Sequence, residues 1–219
     1  GIVVYQVTPL DGPTTPVIFI EGNMIGTNLS GTAALPNGVV GILLDNGAQN
    51  VQIGGSGAGE GNVISGNGLD GIRIARSPDG LGAANEISIL GNKIGTNTVG
   101  SAFIPNISSG VSIFEGGNEI QVGGVIAGEA NVIAGNGDYG VRIKGGSLEV
   151  TNQNTIRGNS IYANGDAGIF LEDDSNDDMQ APDIDLIGPV RGTAAANATV
   201  DLYADAGGQG RERADHRHP

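Results

Sequence analysis

Apolar residues along this chain come in short pairs, separated by a single residue and flanked by Gly, Asn and other polar residues. Ile42 and Leu44, Ile72 and Ile74, Val111 and Ile113, Val141 and Ile143, and Ile169 and Leu171 form one series. Ile18 and Ile20, Val51 and Ile53, Ile87 and Ile89, and Ile120 and Val122 form a second. A period of two places alternate side chains on one face of an extended strand, so each pair predicts a short β-strand with one buried face. A helix would need apolar positions at i, i+3, i+4 and i+7, and no such run survives Gly and Asn that recur every few residues. A helical solenoid fails on the same ground, and the Leu-x-x-Leu-x-Leu frame of a leucine-rich repeat is absent.

The pairs recur in a fixed order. GNVISGNGLDGIRI at 61–74 returns as ANVIAGNGDYGVRI at 130–143 and as GNSIYANGDAGIFL at 158–171. At an offset of 69 residues, with Gly22 falling on Gly91, residues 22–74 match 91–143 without a gap. Inside this duplication an Asn-x-Ile phrase or a near variant begins at Asn23, Asn62, Asn92, Asn131 and Asn159. A Gly-apolar-x-apolar phrase begins at Gly41, Gly71, Gly110, Gly140 and Gly168. With the second series of pairs, each turn carries three strands. The expected fold is all-β: a right-handed parallel β-helix of about six coils, stacked roughly 4.8 Å apart. Ile and Val then pile up inside, each worth about 1.5–3 kcal/mol on burial. Gly is expected at corners of positive φ, and Asn at an inward corner where its amide bonds the Asn above and below. The Asn and Gly of the phrases are therefore structural.

The phrases NVISGNG and GIRI, and the pair IGTNLSGTAALPNG and IGTNTVGSAFIPN, resemble right-handed parallel β-helix repeats of large secreted or surface bacterial proteins, within the pectin-lyase-like superfold. The resemblance covers about residues 1–175. In that family the long loop usually reads Ile-Gly-Thr-Asp, where this chain has Asn28 and Asn97. It implies the fold and an extracellular or cell-surface setting, but no activity, because the same coil serves lyases, hydrolases, adhesins and passive stalks.

The enzymes of the superfold set the test for catalysis. Arg142-Ile143-Lys144 reproduces a polygalacturonase motif, yet there is no Asn-Thr-Asp, and the two histidines, His216 and His218, stand in the tail. Arg142 also has a copy at Arg73, which favours a solvated face residue. A pectate-lyase-like site would use acidic side chains to hold Ca²⁺ and an Arg or Lys to take a proton. Asp70, Asp138 and Asp166 precede equivalent strands, although Tyr139 and Ala167 occupy the place that Asp70 holds in its own copy. Turn chemistry that prefers Asp explains the same residues. The catalytic candidates are thus Arg73, Arg142, Lys144, Asp70 and Asp138.

The densest acidic stretch follows the last coil. Glu172, Asp173, Asp174, Asp177 and Asp178, with Asn176, supply hard oxygen ligands suited to Ca²⁺, in a spacing that does not match an EF-hand. A solvated acidic linker over 176–187 is the alternative reading. Residues 188–210 resemble the opening strands of an immunoglobulin-like sandwich, too few to build one, and are expected as a truncated domain or a cap. The polar stretch 211–219 is expected to form a tail.

Forty glycines without a strict three-residue period exclude collagen. A net charge of −14 with ten scattered Lys and Arg disfavours nucleic acid. No cysteine is present, so the fold uses no disulfide. No apolar run is long enough to insert in a membrane and no leader pattern precedes Gly1, so a mature form or a cut fragment is expected. The functional expectation is a non-catalytic extracellular module, a rigid spacer or display surface that contacts polysaccharide. A lyase or hydrolase acting on acidic polysaccharide is the alternative. Another protein chain is a further expected partner, including a second copy joined through open coil ends or an exchanged C-terminal strand.

Overall fold

The structure, a computed structural model, describes residues 1–5, 18–76, 82, 84–145, 151–172 and 175, with the backbone of 183–185 and 191–193. The chain winds through three strands per coil. The first coil comprises β1 (Ile2–Tyr5), β2 (Ile18–Ile20) and β3 (Met24–Ile25), and the second β4 (Ile42–Asp45), β5 (Gln49–Gly54) and β6 (Val63–Ile64). The third comprises β7 (Ile72–Ile74), β8 (Asn85–Leu90) and β9 (Lys93–Ile94), and the fourth β10 (Val111–Phe114), β11 (Asn118–Val122) and β12 (Val132–Ala134). The fifth comprises β13 (Val141–Lys144), β14 (Thr155–Ile156) and β15 (Ser160–Tyr162), and β16 (Ile169–Leu171) opens the next turn.

Every third strand pairs in parallel. One sheet runs β1-β4-β7-β10-β13-β16, a second runs β2-β5-β8-β11-β14, and a third runs β3-β6-β9-β12-β15. This is a parallel β-helix with three strands per coil, as the paired apolar pattern implies. The 69-residue duplication is now explained as two coils: Ile42 pairs with Ile72, 30 residues on, and Ile72 with Val111, 39 residues on. Long and short coils alternate because Thr27 with Ala34, and Thr96 with Phe103, close an extra hairpin in the long ones.

The core consists of aliphatic columns. Ile42, Ile72, Val111 and Val141 lie in register in the first sheet, as do Leu44, Ile74, Ile113 and Ile143. Ile25, Ile64, Ile94, Ile133 and Ile161 form the column of the third sheet. All but the end members of these columns are essentially inaccessible to solvent.

The Asn phrase stands at the turn between the second and third sheets and forms the expected ladder. The Nδ2 of Asn23, Asn62, Asn92 and Asn131 each donates to the Oδ1 of the next coil's Asn, at 2.8–3.0 Å. The backbone N–H of each donates to the same oxygen. A second ladder, which the phrase analysis missed, links Asn37, Asn67, Asn106, Asn136 and Asn164 by the same amide bonds.

The glycine expectation needs correction at one place. Gly41, Gly71, Gly110 and Gly140, which open the Gly-apolar phrase, are not among the positive-φ residues. They are required by close approach: a Cβ on Gly71 would stand 2.7 Å from the Gly110 carbonyl oxygen and 2.9 Å from Asn106 Nδ2. Left-handed backbone falls instead on non-glycine residues in several coils, with Asn50, Glu86, Glu119 and Gln153 at φ 53–59° near the start of the second sheet.

Past the coils, β17 (Asp183–Asp185) and β18 (Arg191–Thr193) pair antiparallel. Part of the expected acidic linker is therefore a strand. The alternating residues near 196–204, where a cap or exchanged strand is expected, and the tail 211–219 lie outside the described residues.

Candidate functional site

The candidate catalytic residues gather on and beside the outer face of the first sheet, because the residue between the two inward ones of each strand must point out. Leu43, Arg73, Ser112, Arg142 and Phe170 stand side by side in register, and Phe114 stands beside Lys144. The Arg73 and Arg142 guanidinium carbons lie 5.7 and 5.3 Å from the centroid of the Phe114 ring, which is thus flanked by cations from two coils. Arg142 also lies 5.8 Å from the Tyr139 ring, and Tyr139 stacks on Phe170 at 4.5 Å and 13°. The result is a band of alternating cations and rings across four coils.

Each cation of the band is held by a carboxylate. Arg73 Nε donates to Asp70 Oδ2 at 2.7 Å, and Asp70 Oδ1 accepts the backbone N–H of Ser109 at 3.1 Å. The Asp70 side chain is 1% exposed and that of Arg73 30%. Arg73 is thus more than a solvated face residue: it neutralises a buried carboxylate. Arg142 donates to Glu172 Oε1 through Nε and Nη2, and Lys144 Nζ lies 3.2 Å from Glu172 Oε2.

The three candidate aspartates do not form one row. Asp166 N–H donates to the Asp138 carbonyl, Asp138 N–H to that of Ser108 and Ser108 N–H to that of Leu69, so Asp138 and Asp166 stack on Leu69. Asp70 stands one residue further along, in line with Ser109 and Tyr139. Asp138 Oδ2 accepts from Ser108 Oγ at 2.8 Å. The hydroxyls of Ser109 and Ser112 are buried without a protein partner, beside Asp70 and between the two arginines respectively.

Of the Ca²⁺ candidates, Glu172 has its carboxylate engaged by Arg142 and Lys144, and Asp173, Asp174, Asp177 and Asp178 lie outside the described residues. Among the described residues no group of three His, Cys, Asp or Glu side chains is placed to hold a metal ion. The rings Phe114, Tyr139 and Phe170 were not among the sequence candidates. The register of the Gly-apolar phrases contains the signal, since aligning those glycines brings Arg73, Ser112, Arg142 and Phe170 into one row.

The Arg73–Asp70 pair gives a direct prediction. Arg73→Asp leaves a buried carboxylate facing a second negative charge, and is expected to destabilise the fold by about 2–3 kcal/mol, below a fully buried pair because Arg73 is partly solvated. Urea unfolding checks this, and adding Asp70→Asn should restore most of the loss. Unchanged stability in Arg73→Asp would refute the role given to the pair.

Fold and site together define a parallel β-helix solenoid with three strands per coil and a cation–aromatic band on one sheet. No family model, curated protein or solved structure matches the chain.

Proposed function

We propose that the chain is a non-catalytic extracellular module, a rigid spacer whose first sheet displays the cation–aromatic band to polysaccharide. The observation that carries this reading is the engagement of Arg73, Arg142 and Lys144 by Asp70 and Glu172. Guanidinium groups fixed against carboxylates and over rings are suited to holding a shape, and stacked rings offer sugar faces an apolar platform. Rigidity follows from continuous Asn ladders and Ile columns, in which each coil is bonded to both neighbours. The extracellular setting and the pectin-lyase-like relationship rest on the resemblance of the IGTN and NVISGNG phrases.

The test is a panel of uronate and neutral polysaccharides with Ca²⁺ present, followed for retention, unsaturated product and new reducing ends. Retention without turnover is expected, with binding weakened about tenfold in Phe114→Ala. Absence of retention on every polysaccharide would remove the display role. A second reading, a lyase or hydrolase acting on acidic polysaccharide, draws on the free Ser109 and Ser112 hydroxyls beside the arginine row. Unsaturated product formed by the wild type and lost in Arg142→Lys would establish it in place of the first.

A further inference from the structure

The first coil leaves uncovered what later coils bury. Half of the large apolar side chains exposed among the described residues fall between residues 1 and 41, including Val3, Tyr5, Phe19, Met24 and Leu35. Leu35 and Ile104 occupy the same position of the duplication, yet Leu35 is 67% exposed and Ile104 7%. Ile104 belongs to a coil with another stacked before it, whereas Leu35 lies on the first.

The backbone of β1 has the same open side. Ile2 N–H donates to the Gly41 carbonyl at 2.9 Å, toward the following coil. Alternation along an extended strand then directs the N–H and C=O of Val3 and Tyr5 the other way. The repeat confirms it: Tyr5 is in register with Asp45, and in the third coil Ala75, the next member of that row, donates its N–H to the Leu44 carbonyl of the preceding coil. Among the described residues no strand takes that place for β1, and β2 and β3 are likewise paired on one side alone. The far end of the stack differs, because Thr151 pairs with Ser175, which is 1% exposed, so chain beyond β16 returns over the last coil.

We propose that the first coil is a self-association surface, at which two copies meet about a two-fold axis and β1 of each pairs antiparallel with β1 of the other. Two identical open ends can close on each other only isologously, and this arrangement continues the first sheet through both copies. Ile2-Val3-Val4-Tyr5 carries no charge, Pro or Gly to blunt its edge, as an edge that stays unpaired in solution ordinarily does. The apolar side chains around it supply the rim that a second copy covers.

Light scattering over a wide concentration range tests the proposal on the full chain. The mass should rise from one copy to two. Val3→Pro removes an outward N–H of β1 and spares the bonds of Ile2 to the next coil, and Phe19→Lys places a charge in the rim without touching the core. Each is expected to weaken the dimer at least about tenfold at unchanged circular dichroism. Should Val3→Pro lose its fold, Phe19→Lys alone decides. A wild type monomeric throughout overturns the proposal, whether residues 6–17 or another protein covers this end. A dimer that survives Phe19→Lys with its affinity unchanged overturns it as well.

Discussion

Asn92→Ala is expected to lower stability by about 3–5 kcal/mol and the melting temperature by about 10 °C, although Asn92 touches no candidate site residue. Its Oδ1 accepts the Asn62 N–H at 3.0 Å and the Asn62 Nδ2 at 2.8 Å, and its Nδ2 donates to the Ile53 carbonyl, the Leu90 carbonyl and Asn131 Oδ1. The residue is 1% exposed, so truncation leaves donors and acceptors that water cannot reach. The ladder also predicts how cost depends on position. Asn23 stands at the end and is only partly buried, bonding Glu21 and Asn62, so Asn23→Ala should cost about 1 kcal/mol. Equal losses for the two variants in chemical denaturation would show that the amides contribute locally and not as a stack.

Strands, coil count and the first ladder were legible because they depend on local periodicity. An Ile-x-Ile pair states which face is buried, and an Asn recurring before it marks the same corner in every turn. The second ladder was hidden by the loop insertion. Asn67, Asn136 and Asn164 each follow their first-ladder partner by five residues, whereas Asn37 and Asn106 follow Asn23 and Asn92 by 14, since the hairpin of the long coil intervenes. The candidate site was half legible for a related reason. Arg73 and Arg142 were visible as copies of one position, but their carboxylates come by different routes: Asp70 precedes Arg73 in the same coil, while Glu172 reaches Arg142 from the next. Duplication of the cation without duplication of its partner left no repeating signal. Glu172 therefore looked like one more member of an acidic run.

The glycines show how one composition serves two physical ends. Gly54 and Gly123 adopt positive φ at the end of second-sheet strands, where conformation excludes most other residues. Gly71 and Gly110 have ordinary backbone but face a carbonyl and a ladder amide from the next coil. Sequence alone cannot separate the two, because both read as Gly beside an apolar pair.

Ile72→Asp carries the largest expected effect and tests the register of the whole stack. Ile72 is 0% exposed in the first sheet, between Ile42 and Val111, which are equally buried. A carboxylate there has no donor within the aliphatic column, so it must be buried charged or take up a proton, and either course costs several kcal/mol beyond the lost packing, about 5 kcal/mol or more in all. A domain of ordinary stability has on the order of 5–15 kcal/mol, so the variant should be largely unfolded or melt far below the wild type. Each coil is also the template for its neighbours, and a break in the third would separate the first two from the rest. The neighbour Arg73 is no neutral comparison, since it holds Asp70. Ser88 is: it points outward from β8 between Gln52 and Gln121, and Ser88→Asp should shift stability by less than about 0.5 kcal/mol. Circular dichroism melts of the two variants decide the matter. A pair of similar melting temperatures would mean that Ile72 does not face the interior, and the column of Ile42, Ile72, Val111 and Val141 would have to be abandoned with it.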